Sequence, residues 1–278
     1  MNFYSPKTIK ELLELTDKYK DKAVVVAGCT DAIVKPNFFK DKEAIIETLS
    51  IEELKTIEDK GNRIKIGAGV TFADITNSEL IKNNNKALYQ AASVCGSPQI
   101  RNRGTIAGNI VNASPAADSV PALIVSDTTL TILSTDGEEH IKLNAFFKGP
   151  GKTILQPGQI IAYIEFNKDN KDTISFYRKI GTRKALSIAK ASVAFSATRN
   201  DKTLSNIEIA YGSVGPTVVH SIKAKEHLEG KTLNEEVIQE TSCKAFDEVN
   251  PINDIRSTAD YRKLVIKNVI IEELNQFL

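Results

Sequence analysis

Residues 98–118, PQIRNRGTIAGNIVNASPAAD, constrain this chain more than any other stretch. They hold small residues, asparagines, two prolines and one carboxylate, too few large apolar side chains to build a core. A long run of nearly absent side chains leaves main chain bare, so something is expected to lie against it. A second bare stretch, VVVAGCTDA from Val24 to Ala32, follows a short buried strand. Successive exposed backbone N–H groups form a concavity that suits an anion, and Thr30 and Thr105 add hydroxyls within reach of phosphate oxygens. Each hydrogen bond to a charged group contributes about 1.5–3 kcal/mol. On pattern alone the two stretches read equally well as a divided anion cradle or as ordinary tight turns.

Two other glycine motifs are set aside. GAGVTF begins at Gly67 like a dinucleotide fingerprint, but Phe72 stands where a third glycine must allow close helix–strand contact. GPGKT resembles the end of a phosphate loop, yet Phe146 occupies the place of its first glycine. Both are read as turns.

The flanking pattern is mixed. Ser5 and Pro6 look like the cap and first position of a helix, followed by a strand over KAVVVAG and another over EAIIETL. Ser50 is read as the cap of a short helix. Hairpins are expected at Gly61-Asn62, Asp136-Gly137 and Asn200-Asp201. From about residue 172, strands give way to helices, with Gly230 as a stop, which is the order of an α+β lobe. The expected organisation is a lobe over 1–55, a second over 56–170 and an α+β domain over 171–278.

With 278 residues and a formal charge of +1, the chain has neither a basic stripe nor an acidic block. That argues against a nucleic-acid or anionic-membrane surface. No apolar run approaches the roughly 20 residues of a spanning helix, and the start lacks the order of a signal peptide. Cys29, Cys95 and Cys243 are distant and odd in number, so neither disulfides nor a metal or cluster site in this chain is expected. The protein reads as cytoplasmic. His140, His220 and His227 lack matched partners and are expected at the surface, and no catalytic constellation is evident.

VVAGCTDAIVK, GSPQIRNRGTIAGNIVNASPAADSVPAL and FYRKIGTRKALSIAKASVAF together resemble the FAD-binding subunit of the xanthine dehydrogenase family of molybdenum hydroxylases. The likeness runs over nearly the whole chain, including GSVGPTVVHS, HLEGK and the late ADYRKLV. The resemblance implies an α+β fold: a two-lobed FAD-binding domain of the PCMH or vanillyl-alcohol-oxidase-like type, then a CO dehydrogenase flavoprotein type C-terminal domain. It implies that Val25, Val26, Ala27, Gly28, Cys29, Thr30, Asp31 and Ala32 form one pyrophosphate loop. Thr105, Ile106, Ala107, Gly108 and Asn109 would form the other. By the same resemblance Asp118 hydrogen-bonds the cofactor's hydroxyl chain, while Ile161 and Lys179 touch FAD. Losing the Asp118 carboxylate is then expected to weaken FAD retention with the fold intact.

The family's loops usually read AGGTD and TIGGN, so Cys29 and Ala107 replace glycines here; both positions are expected to accept a small side chain. Lys179 has a physical rationale of its own. Reduced flavin is negative near N1, and a cation at 4 Å contributes about 4 kcal/mol before desolvation. Arg178, Arg183 and Lys184 share its cluster, at least two of the four being expected on a solvated edge.

The implied partners are a [2Fe-2S] subunit and a molybdopterin-binding large subunit, in a heterotrimer or a dimer of heterotrimers. Electrons would pass from the clusters to FAD and on to an acceptor such as NAD⁺, in xanthine, purine or related N-heterocycle oxidation. A stand-alone flavin oxidase or reductase, and a non-catalytic nucleotide-binding module, stand as alternatives.

Overall fold

The computed structural model describes residues 1–183 and 186–278. The first sheet is parallel. Strand β1 (Asn2–Tyr4) leads through helix α1 (Ile9–Tyr19) to β2 (Ala23–Val26) and then β3 (Ala44–Glu47), which lies between the other two. Along β2, Val24 and Val26 point inward while Val25 is exposed, the period of a strand covered on one face.

Helix α1 starts later than Ser5 and Pro6 suggest. The cap is Thr8, whose hydroxyl accepts from Glu11 N, while Glu11 accepts from Lys7 N. Residues 2–4 are drawn into pairing with β3, so Ser5 falls in the connection and its hydroxyl meets Glu47 and Ser50. Ser50 likewise caps nothing: its hydroxyl donates to Glu47, and Ile51 precedes the short 3₁₀ turn Glu52–Lys55.

The second sheet is antiparallel. It starts with β4 (Ile57–Asp59) and β5 (Arg63–Gly67). A helical run follows: α2 (Phe72–Asn77), α3 (Glu79–Asn84), α4 (Lys86–Ser93), α5 (Pro98–Arg101), α6 (Ile106–Val111) and α7 (Ser119–Val125). Strands β6 (Thr129–Ser134) and β7 (Gly137–Lys142), a ribbon of β8 (Phe147–Gly149) and β9 (Lys152–Thr153), and β10 (Ile160–Asn167) complete it in the order β4-β5-β10-β6-β7. The expected hairpins at Gly61-Asn62 and Asp136-Gly137 are present.

The third sheet is β11 (Thr173–Ile180), β12 (Ala191–Asn200), β13 (Thr203–Gly212) and β14 (Val219–His220). Helices α8 (Lys223–Leu228), α9 (Glu235–Glu248) and α10 (Ala259–Asn275) follow. Its strands alternate between two cores. Phe176, Val193, Phe195, Ile209 and Tyr211 pack under the C-terminal helices. Tyr177, Ala194 and Ala210 join the core that holds α4 and α7. The period of two therefore ties this sheet to both of its neighbours.

Helix α7 is buried at every residue from Ser119 to Val125, as expected of a helix that is apolar all round. Pro121 sits in its first turn, where no intrahelical N–H is lost. This helix fixes the position of Asp118 at its start.

Candidate functional site

A cleft of about 670 Å³ opens between the parallel sheet, the α5–α7 segment and β10, within the size range of a cofactor site. Its wall includes Val25 to Ala32, Thr105, Ala107, Gly108, Asn109, Asp118 and Ile161. Two residues expected there are not on the wall. Ile106 is fully buried in the core and its amide donates to Val70 O, so it anchors the second turn from beneath. Lys179 stands behind Asp118.

The two bare stretches touch. A Cβ on Gly28 would stand 1.7 Å from Arg103 O, and Gly104 has Thr30 Oγ1 at 3.3 Å from its own Cβ position. In the first stretch, the amides of Gly28, Cys29, Thr30, Asp31 and Ala32 have no acceptor among the described residues. Five consecutive unpaired donors beside a cleft form an anion cradle. The Thr30 hydroxyl likewise has no partner among the described residues.

The second stretch differs from expectation. It is the first turn of α6, and in it only Thr105 and Ala107 have amides without an acceptor among the described residues. The Thr105 hydroxyl, expected to reach phosphate, is buried and accepts from Gly108 N at 3.1 Å as the helix cap. Local capping wins because the first N–H groups of a helix need acceptors.

Cys29 and Ala107 part company as well. Ala107 lies in helical backbone, which takes a Cβ without strain. Cys29 has φ 58°, contrary to the expectation that a small side chain suits it. A non-glycine residue there costs about 1–2 kcal/mol, partly offset by the backbone entropy that glycine would lose. Cys29→Gly is therefore expected to raise the thermal midpoint by about 2 °C and to hold FAD more tightly. A lower midpoint in a thermal melt would mean that thiol packing outweighs the strain.

Asp118 is buried, with Oδ2 accepting from Lys179 Nζ at 2.7 Å and Oδ1 accepting from the Tyr177 hydroxyl at 2.8 Å. Lys179 also donates to Val94 O at 3.1 Å. Burial pushes the Asp118 carboxyl above the usual carboxylate range, with the Lys179 charge and hydrogen bonding from Lys179, Tyr177 and Cys95 pulling the other way. Lys179 thus forms an ion pair rather than presenting a lone cation to the cleft. Cys95 lines the cleft nearby, its thiol pushed up to about 12 by burial and then by the Asp118 charge, so it stays protonated.

Arg178 faces Glu272 and Glu273 at the solvated edge, and the Arg183 guanidinium donates to Leu186 O. Lys184 lies outside the described residues. None of the three histidines lines the cleft. His140 is exposed, whereas His220 and His227 are only partly so and pair with Glu208 and Glu240. Among the described residues no acidic, His or Cys cluster is placed to hold a metal ion.

The structure adds wall residues that the sequence reading missed, among them Lys35, Asn112, Leu186 and Ile188. Lys35 carried a signal, as the only cation between Ala23 and Phe39. Leu186 and Ile188 carried none, since a distant strand connection brings them there.

A cleft of this size with a run of bare backbone donors on a mixed polar and apolar wall suits an anion-bearing cofactor. Residues 1–167 match the family described as the FAD binding domain in molybdopterin dehydrogenase. Residues 176–276 match the CO dehydrogenase flavoprotein C-terminal domain. The chain belongs to this family of FAD subunits of molybdenum hydroxylases, and its cofactor is FAD.

It is 32% identical to the nicotinate dehydrogenase FAD-subunit of Eubacterium barkeri, over 99% of this chain and 96% of that one. It is 27% identical to the xanthine dehydrogenase FAD-binding subunit of Escherichia coli O157:H7, over 89% and 86%. A carbon monoxide dehydrogenase from Hydrogenophaga pseudoflava, solved without the molybdenum-pyranopterin moiety, superposes with a TM-score of 0.94. That match has 26% identity and covers 100% of this chain and 96% of that one.

Proposed function

We propose that this chain is the electron-transfer subunit of a molybdenum hydroxylase complex, taking electrons from the [2Fe-2S] clusters of one partner. A molybdopterin-binding partner hydroxylates the substrate with water, releasing two electrons, and NAD⁺ is the proposed final acceptor. The proposed substrate class is N-heterocycles, purines included. Nicotinate and xanthine, named for two relatives, are both N-heterocycles. Substrate choice belongs to the partner, and the class proposed follows from those relatives.

The run of five unpaired amides beside Gly28 carries the site assignment. In this reading Gly28 to Ala32 hold the diphosphate together with the start of α6. Asp118 orients the hydroxyl chain, and Ile161 lines the flavin end. Bound FAD supplies exchange of one or two electrons between donor and acceptor. The chain's own residues hold and shield it, and the one deeply buried carboxylate on the wall, Asp118, is tied to Lys179 and Tyr177 rather than free to move protons. That arrangement favours a conduit over a self-contained oxidase.

We place the lobes at 1–55, 56–170 and 171–278, the protein in the cytoplasm, and the assembly as a heterotrimer or a pair of them. Among the described residues no helix is long and apolar enough to cross a membrane.

Isolation of the native complex tests this. Flavin absorbance, iron and molybdenum should co-purify, with NAD⁺ reduced in the presence of nicotinate or xanthine. A native protein that carries flavin but no metal-bearing partners would overturn the conduit reading, and a colourless one would overturn the cofactor site.

A further inference from the structure

Among the described residues on the cleft wall, Lys35 is the one cation, set against the carboxylates of Asp31 and Asp118. Asp118 is already neutralised by Lys179. Lys35 comes three residues after the last of the five unpaired amides, at the end of the short 3₁₀ turn Ala32–Val34. Its Nζ lies 3.0 Å from Asp31 Oδ2, donates to Asn112 Oδ1 and sits 5.9 Å from the Phe38 ring centroid. Asn112 closes α6, the helix that opens at Thr105. One side chain therefore joins the first turn to the far end of the second.

The electrostatics give this bond a purpose. Backbone amides supply dipoles but no net charge, and Asp31 adds a negative charge beside them. Without Lys35 the Asp31 charge would stand uncompensated beside the cradle and weaken its attraction for a diphosphate. With it, the Asp31 charge is offset, and the ammonium is held by a neutral amide, a half-exposed carboxylate and the face of the Phe38 ring. Such exposed pairs are weak, so exchanging Asp31 for a more highly charged ligand, with the Asn112 bond kept, costs little.

We propose that Lys35 is the counter-cation of the FAD diphosphate and the strap that joins the two turns around it. This rests on the FAD assignment and adds a residue to it.

The test is FAD titration of the deflavinated full chain at several salt concentrations, for wild type, Lys35→Gln and Lys35→Arg. Lys35→Gln should bind FAD about tenfold more weakly at low salt. Its affinity should also fall less steeply with salt, because the screened charge is gone. Lys35→Arg, which keeps the charge, should stay within about threefold. A Lys35→Gln protein with wild-type affinity, or one weakened but with an unchanged salt slope, would overturn the proposal and leave the cofactor assignment standing. Wild-type protein that takes up no FAD would instead sink the assignment itself.

Discussion

Gly28→Ala protein is expected to purify with little or no flavin and with a stability loss of about 1–3 kcal/mol, the range for overpacking at a rigid contact. The added methyl carbon would stand 1.7 Å from Arg103 O, 2.3 Å from its carbonyl carbon and 3.0 Å from Gly104 N. None of these atoms can step aside cheaply. Arg103 N and Gly104 N both donate to Ile100 O, at 3.1 and 2.7 Å, and Gly104 O accepts from Phe72 N at 3.0 Å. The first turn must therefore retreat, carrying its five amides away from the cleft.

Gly108→Ala is the matched control. Its new Cβ would meet only Thr105 Oγ1, at 2.9 Å, so its effect should be milder. The ratio of flavin to protein absorbance, with a urea melt, reads both outcomes. Wild-type flavin content in Gly28→Ala would mean that the contact between the two turns has no part in holding the cofactor.

The same contrast explains what could be read along the chain. The hairpins at Gly61-Asn62, Asp136-Gly137 and Asn200-Asp201 were legible because turn chemistry is local. The caps at Ser5 and Ser50 were misread because both serines answer to Glu47, a partner over forty residues from Ser5. At the site, bare main chain was legible as composition. Which amides stay unpaired was not, since that depends on where α6 begins and on Val70 accepting from Ile106. The strain at Cys29 was hidden for the same reason: φ belongs to the path between β2 and the Arg103 turn. The likeness to the family points to both stretches, and the longer run of unpaired amides among the described residues falls on the first.

Asp118→Ala should cost about 3–5 kcal/mol of stability, the usual consequence of stripping one partner from a buried ion pair. The fold is still expected to form, but with a smaller margin. Lys179 and Asp118 are each 9% exposed at the side chain and 2.7 Å apart, so removing the carboxylate leaves an ammonium with only Val94 O. The Tyr177 hydroxyl also loses its acceptor in a site where burial holds its pKa well above the ordinary phenol range. Because Tyr177 and Lys179 belong to β11 and Asp118 opens α7, the pair fastens the C-terminal sheet to the cofactor lobe.

A second variant separates the two roles of the carboxylate. Asp118→Ala combined with Lys179→Met removes both charges, and buried pairs replaced by apolar groups are often neutral or better. Urea melts should show most of the loss recovered in the double variant. FAD affinity should stay low in both, because neither presents an acceptor to the cofactor's hydroxyls. If affinity returns along with stability, Asp118 acts on FAD only by keeping the two elements together, and its direct contact with the cofactor is refuted.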